Sequence, residues 1–304
     1  MKISNRILFG ALCLFTAASL YAAPKGDKVI WASPEANGTL LTSAGKESVE
    51  IKLDKAVDFS GYKYVTYECS SPDGGSIDML YFNTVYGKAE TVGGQKKYAK
   101  SSTILIRGVS KKTASFQTFA YGATNKYYDF AYDDNGNADV RKADKTLCDR
   151  ITMDVMGPNW VPLEGKKVYL KKVTATNQPL GKVYSVGLSD QRFAAADEWD
   201  DGYYGCGFSI TDLMGASPKK GDVLQIKLKG RLAYDIGHFE LSITDAKDET
   251  GSRFLSQNVH MPAMKAGAID LIVEFTVNEA CSNIKFNLYT KRSETDGAFL
   301  FLFD

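Results

Sequence analysis

Trp160 stands beside Asn159 in a loop bounded by Gly157, Pro158 and Pro162. An indole in such a loop can lie flat against the apolar C–H face of a pyranose while the neighbouring amide bonds its hydroxyls. Tyr127 and Tyr128, next to Asn125 and Lys126, offer a second platform at the start of a neighbouring strand. A third grouping runs Asp197, Glu198, Trp199, Asp200, Asp201, Gly202, Tyr203, Tyr204, placing an aromatic among four carboxylates just ahead of a strand. That loop could take a sugar or a cation, or serve as a solvated acidic connection. Asp133, Asn135, Asn137 and Asp139 alternate along a polar stretch and supply the hard oxygens calcium prefers, so a structural calcium ion is one reading of them. Asn135-Gly136 is equally a tight hairpin turn, and strand alternation would set the four side chains on one face. No pair of carboxylates is singled out for glycoside hydrolysis, and neither His238 nor His260 has an assignable nucleophile. The expectation is a non-catalytic protein without a cofactor.

These loops need a scaffold that the chain is long enough to build. Its 304 residues are 44% hydrophobic, 12% aromatic and 24% charged, which suits a folded domain and excludes a disordered or collagen-like chain. The opening carries Lys2 and Arg6, an apolar stretch from Ile7 to Leu20, then Ala22 and Ala23 before Pro24. That order is a secretory signal over residues 1–22, cleaved after Ala22. Cys13, preceded by Leu12, is a poor lipid-attachment site. Without Lys2 and Arg6, the 37 basic residues fall to 35 against 36 acidic ones, which leaves no electrostatic footprint for nucleic acid. No later apolar run is long enough for a transmembrane helix in the mature chain. The expected location is outside the cytoplasm: periplasmic, associated with the outer envelope, or extracellular.

Four cysteines follow the signal: Cys69, Cys148, Cys206 and Cys281. In an oxidising compartment they admit two bridges, and with two cysteines per half the local pairs Cys69–Cys148 and Cys206–Cys281 are expected, against the alternative of buried free thiols.

Apolar runs of strand length, separated by Gly, Asn, Asp, Ser and Pro, recur at 49–53, 62–69, 103–109, 115–121, 127–132, 151–155 and 167–173, and again at 203–210, 223–229, 238–244, 253–259, 269–277, 284–289 and 298–303. Sustained helical spacing is absent. The spacing predicts an all-β protein of two consecutive antiparallel β-sandwich domains, 23–176 and 182–304, joined by a linker at 177–181. The halves align as diverged copies: Ile51-Lys52-Leu53 on Ile226-Lys227-Leu228, then Gly61, Val65 and Tyr67 on Gly237, Leu241 and Ile243, then Cys148, Ile151, Met153 and Val155 on Cys281, Ile284, Phe286 and Leu288.

Residues 57–68, from Val57-Asp58-Phe59 to Tyr67-Glu68, resemble an early strand of jelly-roll carbohydrate-binding modules of the galactose-binding-like type, and Gly165–Val173 resembles their closing strand. Lys220-Gly221-Asp222-Val223-Leu224 through Gly230, with Ala266-Gly267-Ala268 and the strand to Val277, is similar to the same module. The resemblance implies tandem jelly rolls and a glycan or cell-envelope component as partner, bound through Trp160, Asn159, Tyr127 and Tyr128 in the first half, with Trp199 and Tyr203 as the second-half candidates. The rival expectation is a structural or adhesive envelope protein making protein contacts through both sandwiches.

Overall fold

The computed structural model describes residues 26–302 except 45–48, 60, 78, 93–94, 102–108, 120–128, 131–146, 158–160, 189–191, 195–196, 201–202, 212–214, 216, 237–238, 248–254, 257–258, 262–263 and 292–297. The described chain is all-β, as the alternation predicts. Its first ten strands are β1 (Lys28–Ala32), β2 (Thr39–Ala44), β3 (Val49–Asp58), β4 (Tyr64–Ser70), β5 (Met79–Val92), β6 (Gln95–Ser101), β7 (Ala114–Phe119), β8 (Asp129–Phe130), β9 (Leu147–Met156) and β10 (Glu164–Thr176). They form two sheets, β1-β10-β4-β7 with β2 also on β10, and β3-β9-β5-β6-β8. Both sheets face one core: Val65, Tyr67, Cys69, Phe116, Val168, Leu170 and Val173 come from one, and Leu80, Phe82, Ile151, Met153 and Val155 from the other. Tyr67 and Phe82 stack across the gap with centroids 5.0 Å apart.

The next ten strands are β11 (Val183–Gly187), β12 (Arg192–Ala194), β13 (Asp197–Asp200), β14 (Tyr203–Ser209), β15 (Val223–Leu232), β16 (Phe239–Asp245), β17 (Val259–Met261), β18 (Gly267–Thr276), β19 (Ile284–Lys291) and β20 (Ala298–Leu302). They form β11-β15-β20-β12, with β18 on the other edge of β15, and β13-β14-β19-β16-β17. Phe275 and Phe286 meet edge-on at 6.1 Å in the core between these sheets. One pairing departs from the antiparallel expectation: β11 runs parallel to β15. β20 reaches only residues 230–232 of β15, so β11 occupies the rest of that edge.

The connectivity of the second half repeats that of the first, with a correspondence different from the one expected. The order β3-β9-β5-β6 reappears as β14-β19-β16-β17, and β10-β4-β7 as β20-β15-β18. Cys148, Ile151, Met153 and Val155 do match Cys281, Ile284, Phe286 and Leu288, since β9 corresponds to β19. The other two alignments are wrong. Ile51-Lys52-Leu53 lies on β3, whose counterpart is β14, whereas Ile226-Lys227-Leu228 lies on β15, the counterpart of β4. Val65 and Tyr67 on β4 therefore match Leu224 and Ile226, not Leu241 and Ile243. Every half-buried strand alternates with period two, so a short match cannot tell one strand from another.

The halves meet through the outer face of β4. Tyr64 points away from its own core, is 1% exposed, and belongs to the apolar cluster of the second half. Lys63 Nζ lies 2.7 Å from Glu274 Oε1, which also accepts from Gln225 Nε2 at 2.6 Å. Gln117 donates through Nε2 to Thr66 Oγ1 at 3.1 Å and to Gln178 O at 3.0 Å, while its Oε1 accepts from Leu180 N at 3.2 Å. Residues 177–181 are thus held, not slack. Asn177 grips Lys63 N and Gly61 O on one side, and the buried carboxylate of Asp222 accepts from Lys182 N and Lys219 N on the other.

The expected disulfides are not formed. Cys69, Cys148 and Cys281 are buried free thiols. Cys69 and Cys148 sit on opposite sheets, and Cys148 Sγ donates to Arg150 O at 3.2 Å just as Cys281 Sγ donates to Asn283 O at 3.0 Å. Cys206 pairs in register with Leu288, which lies four strand residues (about 13 Å) past Ile284. Cys281 lies before β19 begins and is not in a disulfide. Burial pushes the Cys69 thiol up to about 12, outweighing the opposing Lys220 ammonium. The native protein at pH 8 is expected to resist iodoacetamide at all three thiols and to take it up at all three once denatured without reductant. A Cys69–Cys148 peptide in a non-reduced digest would overturn this assignment.

Candidate functional site

The sheet β13-β14-β19-β16-β17 buries Phe286 and Leu288 of β19 and Leu241 and Ile243 of β16 in the core. Strand alternation therefore sends Lys285 and Asn287, with Glu240, Ser242 and Thr244, to the opposite face. Register aligns them in rows: Gly207–Asn287–Ser242, Ser209–Lys285–Thr244, and Asp197–Gly205–Tyr289–Glu240–His260 across all five strands.

Two properties distinguish this face. First, β14 presents Gly205 and Gly207 to it, so one strand of the face lacks side chains over two consecutive outward positions. Glycines inside a strand cost stability and mark places where something approaches the backbone closely. Second, the neighbouring floor is polar and fixed. Asn287 Nδ2 donates to Thr244 Oγ1 at 2.9 Å, with longer bonds of 3.4 Å to Ser242 Oγ and Lys285 O. All three side chains, Asn287, Ser242 and Thr244, are buried although they lie on the outward face. A bonded network of this kind holds its rotamers rigidly. The result is a pair of positions on β14 without side chains, in register with a buried amide and two buried hydroxyls, with Glu240 in the adjoining row.

Of the residues picked from sequence, Tyr203 opens β14, two positions before Gly205. Asp197–Asp200 is a strand and not the expected acidic loop; it pairs with β14, and the register breaks between Glu198 and Asp200, at Trp199. Asn159, Trp160, Tyr127, Tyr128 and the quartet Asp133, Asn135, Asn137 and Asp139 lie outside the described residues. Among the described residues no group of three or more His, Cys, Asp or Glu could hold a metal ion. The corresponding face of the first half carries Asp154 opposite Tyr81, and Thr152 between Glu50 and Asn83. Sequence reasoning passed over Asn287, Ser242, Thr244 and the glycine pair. The signal available was Gly205-Cys206-Gly207 inside a strand, together with small polar residues alternating with Leu241 and Ile243.

No family model and no curated protein matches the chain. Among solved structures, a protein of Parabacteroides distasonis predicted to be secreted overlaps 91% of this chain and 85% of its own, at 13% identity and a TM-score of 0.20. The N-terminal CBM22-1–CBM22-2 tandem domain of Paenibacillus barcinonensis Xyn10C overlaps 92% of this chain and 99% of its own, at 9% identity and 0.23. The major capsid protein P2 of Bacteriophage PM2 overlaps 89% and 98%, at 12% and 0.22. At these scores the likeness carries no argument about this chain, and its architecture stands on its own strand pairing. No helix among the described residues is long and apolar enough to cross a membrane.

Proposed function

We propose that this chain is an exported, non-catalytic protein that binds a glycan on the outer face of β14, β19 and β16 in its second half. The observation that carries the reading is the pair of glycine positions at Gly205 and Gly207, in register with the hydrogen-bonded Asn287–Ser242–Thr244 network. A pyranose seated there would meet backbone at van der Waals distance, with Glu240 in the adjoining row. The first-half loop aromatics expected from sequence lie outside the described residues, and the site is proposed here because glycines and a fixed polar network share one register. Binding is favoured over hydrolysis: Asp197 and Glu240, the two carboxylates of one row, are three strands or about 14 Å apart at the backbone, whereas glycosidase carboxyls stand about 5–9.5 Å apart. The basic, apolar, small-residue order of positions 1–22 supports export.

A glycan array followed by calorimetry on the best ligand tests this. Gly205→Val puts a strand-favouring side chain where there is none, and Tyr203→Ala removes the aromatic that opens the strand. Each is expected to weaken binding at least about tenfold, a loss of about 1.4 kcal/mol, with an unchanged melting temperature. A folded wild-type protein that binds no glycan, or binding that survives both changes, would overturn the reading and favour a protein-contact role.

A further inference from the structure

The other sheet of the second half presents a different chemistry on its outer face. Along β15, Leu224, Ile226, Leu228 and Leu232 are buried in the core, so Val223, Gln225, Lys227, Lys229 and Arg231 face outward. The first half covers only the beginning of this face, at Val223, Gln225, Glu274 and Thr276. Beyond it Lys227, Lys229 and Arg231 are all exposed, in a line spanning about 13 Å. None of the three makes an ion pair or a side-chain hydrogen bond among the described residues. Register extends the row at Arg231 through Phe301 of β20 to Arg192 of β12. Across β18, Lys227 faces Ile272, which is 50% exposed, and Lys229 faces Asp270. Among the described residues the open part of the face therefore carries three basic side chains against one acid, beside the exposed Ile272, in a chain whose formal net charge is only +1.

We infer that this face docks an acidic polysaccharide, a chain of sugars bearing regularly spaced carboxylate or sulfate groups. Cations in a straight line suit charges repeated along an extended polymer, and the exposed Ile272 suits the apolar face of a sugar between those charges. A near-neutral chain with one short basic line lacks the broad positive field that nucleic acid binding draws on. The face is on the opposite sheet from the strip at Gly205, so the two sites stand or fall separately.

Affinity electrophoresis of the full mature chain through native gels containing polygalacturonate, dextran sulfate or neutral dextran tests the proposal. Retardation is expected by the two acidic polymers and not by dextran, weakening as salt rises. The Lys227→Gln/Lys229→Gln/Arg231→Gln variant is expected to bind about tenfold more weakly. The Lys55→Gln/Lys111→Gln/Lys112→Gln variant, with the same change of charge on exposed lysines of the first half, is expected to keep binding. No retardation of the wild-type protein, equal loss in both triple variants, or equal or tighter binding to single-stranded DNA or to phosphatidylglycerol vesicles at the same salt would each overturn it. A glycan-binding defect in Gly205→Val with polygalacturonate retardation intact is the expected sign that the two faces are independent.

Discussion

Replacing Tyr64 with alanine is expected to lower the unfolding free energy by about 3–5 kcal/mol, the range for emptying a buried aromatic site, and to separate one cooperative transition into two. The expectation rests on where the ring goes. Tyr64 lies on the outer face of β4, yet it completes the core of the second half. Lys63 Nζ stands 5.3 Å from its ring centroid and 2.7 Å from Glu274 Oε1, so cavity and ion pair are coupled. Burial first, and the Glu274 charge second, push the phenol well above its ordinary value. Tyr64→Phe keeps the ring and should melt in one step. Calorimetry alongside urea denaturation reads both outcomes; a Tyr64→Ala protein that melts in one step at the wild-type midpoint would contradict the role given to this ring.

Asp222→Ala is the second large effect, expected at about 2–4 kcal/mol because it leaves two backbone N–H groups without their buried acceptor. Asp222 Oδ1 accepts from Lys182 N at 2.8 Å and Oδ2 from Lys219 N at 2.7 Å, so a single carboxylate ties the start of β11 to the turn before β15. Gly181→Ala should do similar damage from the opposite side, since a Cβ there would sit 2.2 Å from Asp222 Oδ1 and 2.8 Å from Asp222 N. Loosening either way should expose the bond after Lys182 to trypsin under native conditions. Wild-type resistance and stability in both variants would show that the clasp contributes nothing.

Strand existence was legible because alternation reports burial directly, as in Val223–Lys229 and Ile284–Tyr289. β5 was harder: Asn83, Gly87 and Lys88 interrupt its alternation, and its place between β9 and β6 supplies what its composition does not. The partner of each strand was not legible, since period two is common to them all. Only the cysteine-led stretch carried enough individuality to align, and there Cys148 and Cys281 repeat the same bond to the carbonyl two residues on. Of the proposed site, the sequence singles out Tyr203 alone. Tyr203 was visible as an aromatic near acids, but its company depends on cross-strand register, which puts Gly205 beside Tyr289 and Glu240 though they are far apart in sequence.

The junction at Tyr64 has one more consequence. β4 and β15 are counterparts, and so are β7 and β18, so the Thr66–Gln117 pair of one half corresponds to the Gln225–Glu274 pair of the other, and both are hydrogen-bonded at the junction. Counterpart strands thus both contribute to one junction inside a single polypeptide, and Tyr64, Gln117 and Glu274, which line it, already have their partners there and are not left to recruit a second molecule.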